Sequence, residues 1–400
     1  MNSALPPVRR GRFLRSGLAA FALCGLMGTT ASFAQDPIKI GFIGTLSGPG
    51  GALGQDQYDA FMLAIEQNDG KLGGVPVEVI REDDQLKPDV GVQAATKLLK
   101  SENVDIITGV TFSNVMMAIH KSITDAEVFF IGSNAGPAPI AGKECSPYYF
   151  STSWDNDMLH EAGGQLATDL GYKNMYVMAP NYQAGRDAVS GFKRDYTGNV
   201  IDEVYTQVNQ PDYSAEIAQL QAAAPDAVYV FYPGGMGINF IKQYRQAGLL
   251  GTVPLISAAT IDGSTLPALK SLAVGAITSA PYAPNIDNPQ NKQFVEAFVK
   301  AYKRQPSIYA AQSYDAANLI ASALKKVDGK LDNKAAVLAA LKAADFNSVR
   351  GAFKFDSNQF PDAPFYRVDV VEGQDGAELQ ATTPIAIKTR ANFHLQCPMK

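Results

Sequence analysis

The sequence predicts an α/β protein of two lobes, each a parallel sheet flanked by helices, and three observations carry that reading. Short apolar runs alternate with amphipathic, helix-spaced stretches almost throughout, the pattern of strands joined by crossover helices. The strand candidates are nearly continuous in apolar character, as expected where both faces of a sheet are covered. The rhythm also runs twice, from Ile38 to about Phe150 and from about Trp154 to Tyr282, each stretch near the size of one domain.

In chain order, the first lobe takes strands from IKIGFIG (38–44), PVEVIRE (76–82), VDIITG (104–109) and EVFFIGS (127–133). The second takes NMYVMAP (174–180), VIDEVYT (200–206), DAVYVFY (226–232), VPLISA (253–258) and GAITSAPY (275–282). Helices are expected over 56–68, 89–101, 156–171, 215–223 and 237–248, where apolar residues recur at helical spacing. Two late helical stretches, NKQFVEAFVKAYKRQ and YAAQSYDAANLIASALKK, need a sheet to cover, so the chain is expected to return to the first lobe. The resulting division is 36–152 plus 283–353 for lobe one, and 153–282 plus 354–400 for lobe two with a C-terminal tail. Two hinged α/β lobes place the C-terminal ends of their strands around a shared cleft.

Residues 1–34 read as an export signal rather than as part of either core. Arg9, Arg10, Arg12 and Arg15 form a basic segment, Gly17 to Gly28 an apolar one, and Ser32-Phe33-Ala34 a small-residue cleavage site. RRGRFLRS also resembles a twin-arginine signal with one extra residue, and Cys24 follows a leucine larger than lipoprotein processing prefers. Cleavage near Ala34 removes four arginines and no acid, taking the formal charge from −5 to about −9. An acidic, exported chain without basic runs argues against nucleic acid and anionic lipid as partners. Two cysteines survive processing, Cys145 and Cys397, and an even pair in an oxidising compartment suggests one long-range disulfide.

Ligands of such folds meet the loops that follow the strands. The segment GVTFSNVMMAI (109–119) ends a buried strand where a helix begins. Ser113 or Asn114 can cap that helix; alternatively its unpaired N–H groups form an anion-binding corner with Phe112 as one wall. The first Gly-rich loop is no dinucleotide motif, because Leu53 stands where the third glycine of GxGxxG belongs. His120 and His160 fall inside helical patterns and His394 in the tail, consistent with packing or surface roles, and Asp83-Asp84 reads as a cap. No nucleophile elbow or zinc pair appears in the sequence, so neither catalysis nor a cofactor is expected. Tyr182, Tyr232 and Tyr282 all sit at strand ends of the second lobe, where they either pack the core or face a ring-shaped ligand.

The export signal, IKIGFIGTLSGPGGALGQD, the TFSN element, NYQAGRD, YPGGMGINFIKQYRQAGL and YAAQSYDAANLIASAL together resemble the branched-chain amino-acid-binding family of periplasmic proteins. These are the type I solute receptors of ABC importers. The resemblance implies a two-lobed Venus-flytrap fold with three crossovers, a monomer that delivers its ligand to membrane permease and ATPase subunits. It also implies that Ser113 matches the serine that holds the ligand carboxylate. The next loop, Asn134-Ala135-Gly136, lacks the family threonine, and the family acid that pairs with the ligand ammonium falls near Ala259, with Asp262 three residues later. A buried ammonium without a partner is costly. An aromatic carboxylate, of benzoate or hydroxycinnamate type, therefore suits the expected site better than a branched-chain amino acid, which is the rival. Leu53, Arg186, Tyr309 and Gln312 complete the expected lining, with Arg186 on a distal ligand group or at the rim and Tyr309 and Gln312 on the first-lobe wall.

Overall fold

A computed structural model describes residues 36–373 and 376–399; the export signal expected over 1–34, with Cys24, lies outside them. The first sheet comprises β1 (Ile38–Gly44), β2 (Lys71–Leu72), β3 (Val75–Asp83), β4 (Ile106–Gly109), β5 (Phe129–Gly132) and β6 (Tyr149–Ser151), in the order β2-β3-β1-β4-β5-β6. All its pairings are parallel except the short β2–β3 hairpin. The second sheet takes β7 (Asn174–Pro180), β8 (Asn199–Thr206), β9 (Ala227–Val230), β10 (Leu255–Ala258), β11 (Ile277–Ala280), β12 (Phe365–Gly373) and β13 (Gly376–Ile385), in the order β13-β12-β11-β10-β9-β7-β8.

Every strand read from the sequence is present within a few residues. The sequence reading missed the pair β12–β13, which joins the second sheet antiparallel. The reason is physical: this edge pair is half solvated, β12 mixing buried with half-buried residues and β13 half-buried with exposed ones, instead of forming an apolar run.

Helices cover both sheets: α1 (Gly51–Glu66), α2 (Pro88–Lys97), α3 (Ser113–Asp125), α4 (Ala138–Ala141), α5 (Asn156–Asp169), α6 (Gln183–Asp195), α7 (Ser214–Ala223), α8 (Gly235–Gln246) and α9 (Leu266–Leu269). After the second sheet's parallel strands come α10 (Pro289–Tyr302), α11 (Ile308–Lys326) and α12 (Lys334–Ala343), and the tail ends in α13 (Phe393–Gln396). Successive strand residues point to opposite faces. Thus Phe42, Ile106 and Ile131 join one first-lobe core with Leu319, Ile320, Val337 and Leu341 from α11 and α12, while Ile43, Ile107 and Phe130 join the other with Val115 and Ile119 of α3. Of the two late helices expected there, α11 covers the first sheet, whereas α10 reaches α1 through Tyr302 and the Asp59 carbonyl but buries Phe294 and Phe298 in the cluster that contains the second-lobe core.

The third crossing lies later than residue 354, because Phe355 and Phe360 still pack in the two first-lobe cores. Buried Arg350 braces the crossovers: its guanidinium pairs with Asp315 of α11 at 3.0 Å and donates to the carbonyls of Thr152 and Ser153. The tail does not belong to the second lobe alone. Thr389 and Ala391 donate backbone N–H groups to Asp195 and Glu161 of that lobe, and Cys397 then forms a disulfide with Cys145 of the first, 252 residues away.

Candidate functional site

The corner at the start of α3 is built by a sharp turn out of β4. Gly109 and Val110 both have positive φ, 105° and 65°, and a Cβ at position 109 would lie 2.2 Å from the Ile43 carbonyl. Such a backbone is unfavourable for a β-branched residue and persists because it is tied down. Val110 donates to the Ile43 carbonyl at 2.6 Å and accepts from the Ala135 N–H at 3.1 Å. Next, the Thr111 hydroxyl donates to Gln57 Oε1 at 2.7 Å, Asn134 donates to the Thr111 carbonyl at 2.6 Å, and Gln312 donates to Asn134 Oδ1 at 2.6 Å.

Phe112 then occupies the cap position without making a side-chain cap. Among the described residues, the N–H groups of Ser113 and Asn114 meet no acceptor. The capping alternative is therefore not the one adopted: the helix start is left open, with the partial positive charge that favours an anion. Ser113 is held from the other lobe. Asn156 Nδ2 donates to Ser113 Oγ at 3.0 Å and to Asp187 Oδ2 at 2.9 Å, while Asn156 Oδ1 accepts the Gly136 N–H at 3.3 Å. With Oγ already accepting, the Ser113 hydroxyl hydrogen is free to be donated to a ligand. Burial holds the Asp187 carboxyl above its usual range, with Asn156 and Gln183 as its hydrogen-bonding partners acting against that rise.

Opposite this polar corner stands a chain of aromatic rings. Phe112 and Tyr182 have centroids 6.4 Å apart, Tyr182 stacks on Phe231 at 6.3 Å, and the His160 ring meets Phe231 edge-on at 4.7 Å. Trp154 and Tyr309 also line the cavity, whose free volume is about 30 Å³, room for little more than a water molecule, so a ligand enters only when the two lobes part. Its lining includes no Lys, Arg, Asp or Glu side chain. Asp262, which burial raises to about 6, lies instead with Tyr282 in a separate, smaller cavity, and Ala259 at φ 47° borders both.

Of the residues expected from the sequence, Phe112, Ser113, Asn134, Ala135, Tyr182, Ala259 and Tyr309 come together around this cavity. The others do not line it. Tyr232 packs into the second-lobe core against Tyr213 and Phe240, with the Thr206 hydroxyl donating to its own at 3.3 Å, so it does not close over a ligand. Tyr282 faces the smaller cavity. Leu53 is buried near Gly234, Gly136 lies under the Trp154 carbonyl where a Cβ would clash at 2.0 Å, and Gln312 braces Asn134. Arg186 is exposed and bonds Asn181 and Gln183 at the rim.

Sequence reasoning missed Trp154, Asn156, Leu159, His160, Ala184, Phe231, Pro233 and Thr111. Phe231 is one position from the tyrosine chosen instead. Asn156 and His160 are four apart on α5, which follows a crossover rather than a strand of the second sheet. Their spacing on one helix face was the available signal.

A family model described as periplasmic binding protein matches residues 37–377. The chain belongs to that family. It is a solute-binding protein of the type that serves ABC transporters, not an enzyme, and its two mainly parallel sheets are the two-lobed fold of such proteins. Over 371 residues it is 28% identical to a Leu/Ile/Val-binding protein homologue of Brucella melitensis, covering 90% of this chain and 93% of that one. The structure is similar to an ABC-transporter solute-binding protein of R. palustris in complex with benzoate, at a TM-score of 0.82 and 30% identity, covering 86% of this chain and 96% of that one. A second such protein, from Rhodopseudomonas palustris BisB5 in complex with 3,4-dihydroxybenzoic acid, gives a TM-score of 0.81 and 28% identity over 88% and 97%.

Proposed function

We propose that this receptor carries an aromatic carboxylate, of benzoate or hydroxycinnamate type, to the permease and ATPase subunits of an ABC importer. One observation carries the reading: the cavity joins open helix N–H groups and a free serine hydroxyl to an aromatic wall, with no acidic side chain for an ammonium. Neutral donors and the helix end stabilise the carboxylate, and the rings stabilise the apolar remainder. The R. palustris neighbours that hold benzoate and dihydroxybenzoate support the same ligand class.

The mechanism follows from which lobe supplies which group. The carboxylate docks at Ser113 on the first lobe, and closure brings Tyr182, Phe231 and His160 of the second against the ring. Contact with both lobes favours the closed state, and a hundredfold preference for it is worth about 2.7 kcal/mol. A branched-chain amino acid is the second reading, favoured by the names of relatives such as the Brucella protein. In that case the ammonium has to reach Asp262, outside the cavity that holds Ser113. A thermal-shift screen of benzoates, hydroxycinnamates and branched-chain amino acids separates the two. A midpoint rise with aromatic acids alone supports the proposal, and a rise with leucine alone overturns it.

A further inference from the structure

We infer that His160 recognises an oxygen substituent on the ligand ring, so that the preferred cargo is a hydroxy- or methoxy-substituted aromatic carboxylate rather than an unsubstituted one. The inference rests on the aromatic-acid reading above and adds a residue that selects within it.

Three observations on His160 converge. The residue lines the cavity although it is only 1% exposed, and its Nδ1 is 2.6 Å from the Tyr229 hydroxyl. That hydroxyl has no other partner among the described residues. A phenol with one neighbour satisfies its hydrogen by donating it, so Nδ1 accepts and the ring proton sits on Nε2. Burial drives the imidazole pKa down to about 3, so the ring is neutral and carries that single N–H. Nε2, without a partner among the described residues, is thus a donor on a residue that lines the cavity.

Its position matches the far side of a bound ring. Asn156, which holds Ser113, lies four residues before His160 on α5, a rise of about 6 Å, near the span from a carboxyl carbon to an oxygen on the opposite side of a benzene ring. The aromatic wall also leads from one to the other, running from Phe112 beside Ser113 through Tyr182 and Phe231 to His160. A buried donor that meets no acceptor is costly, which is how a site rejects an analogue lacking the matching oxygen.

The test is calorimetry of the purified receptor with benzoate, 3-hydroxybenzoate, 4-hydroxybenzoate and 4-methylbenzoate, the last matching the 4-hydroxy compound in shape without its oxygen. The expected result is that the better hydroxybenzoate binds at least tenfold more tightly than 4-methylbenzoate, and that the ratio falls below threefold in His160→Phe. Equal binding of the hydroxy and methyl compounds, or a preference that survives His160→Phe, overturns the inference while leaving the aromatic-acid reading intact. Failure of all four to bind overturns both. Should His160→Phe not fold, ¹⁵N-histidine NMR of the unmodified protein decides: the Nε2–H resonance of His160 shifts differently with 4-hydroxy- and 4-methylbenzoate, and identical shifts sink the idea.

Discussion

The two lobes bring opposite chemistry to one cavity. The first supplies polarity: an open helix start, the Ser113 hydroxyl, and a relay of side-chain amides through Asn134, Gln312 and Gln57 that holds the corner in shape. The second supplies rings, Tyr182, Phe231 and His160, which touch one another and so reach the cavity already ordered. Asn156 links the two, bonding Ser113 across the gap. The contrast teaches how a hinge protein separates tasks. Under the proposed function, the carboxylate meets directional donors on the first lobe, and closure adds mainly apolar ring contact, which tolerates small errors in the closing angle.

Removing the second lobe's contribution is the strongest way to break this division. Tyr182→Ala deletes a ring stacked on Phe231 and is expected to weaken aromatic-acid binding by about 2–3 kcal/mol, on the order of a hundredfold. Calorimetry showing less than a fivefold loss would mean the wall does not carry affinity. On the first lobe, Ser113→Ala removes a hydroxyl donated to a charged group and is expected to cost at least tenfold, by about 1.5–3 kcal/mol. Unlike the tyrosine change, it should weaken every carboxylate equally, whatever its ring; a loss confined to some ligands contradicts the assignment of the corner.

The buried histidines sharpen the comparison most gently. His160 faces the cavity, whereas His120, in the first lobe, is enclosed by Phe130 and Tyr149 with its Nε2 unpartnered. Burial lowers the His120 pKa from 6.5 to about 4; nearby Asp125 works against that fall and Lys121 adds to it. A depressed folded pKa means that the unfolded chain binds the proton first. The stability is therefore fully present above about pH 6.5 and is lost as pH falls toward 4, by up to about 3 kcal/mol. His120→Leu should flatten that part of the melting-temperature profile relative to the unmodified protein and leave ligand affinity at pH 7 unchanged. An identical acid limb in the two proteins would show that His120 does not contribute to it.

Much of this molecule was legible before any coordinates. Alternating apolar runs marked the parallel strands, and Ser113 with Phe112 stood out as a strand end that either caps the helix or holds an anion, a choice that the resemblance to the amino-acid-binding family tipped toward the anion. Tyr232 misled for an equally physical reason: adjacent strand-end residues point to opposite sides, and sequence does not say which of Phe231 and Tyr232 turns toward the cleft. His160 looked like a packing residue because its helical pattern is shared by any buried helix face. Only Tyr229 beside Nδ1 and Phe231 across the ring give it a direction.

The chain by itself determined most of its element types, its double α/β rhythm, the even cysteine count that suggested one disulfide, and the strand-to-helix junction at Ser113, since each depends on local periodicity, on counting, or on a single short segment. The tertiary structure alone decided which tyrosines line the cavity, that the third crossing falls beyond Phe360, how Arg350 ties the crossovers together, and that Asp262 stands outside the cavity. Those outcomes depend on contacts between residues tens to hundreds of positions apart, where side-chain direction and distance are set by packing rather than by neighbours in sequence.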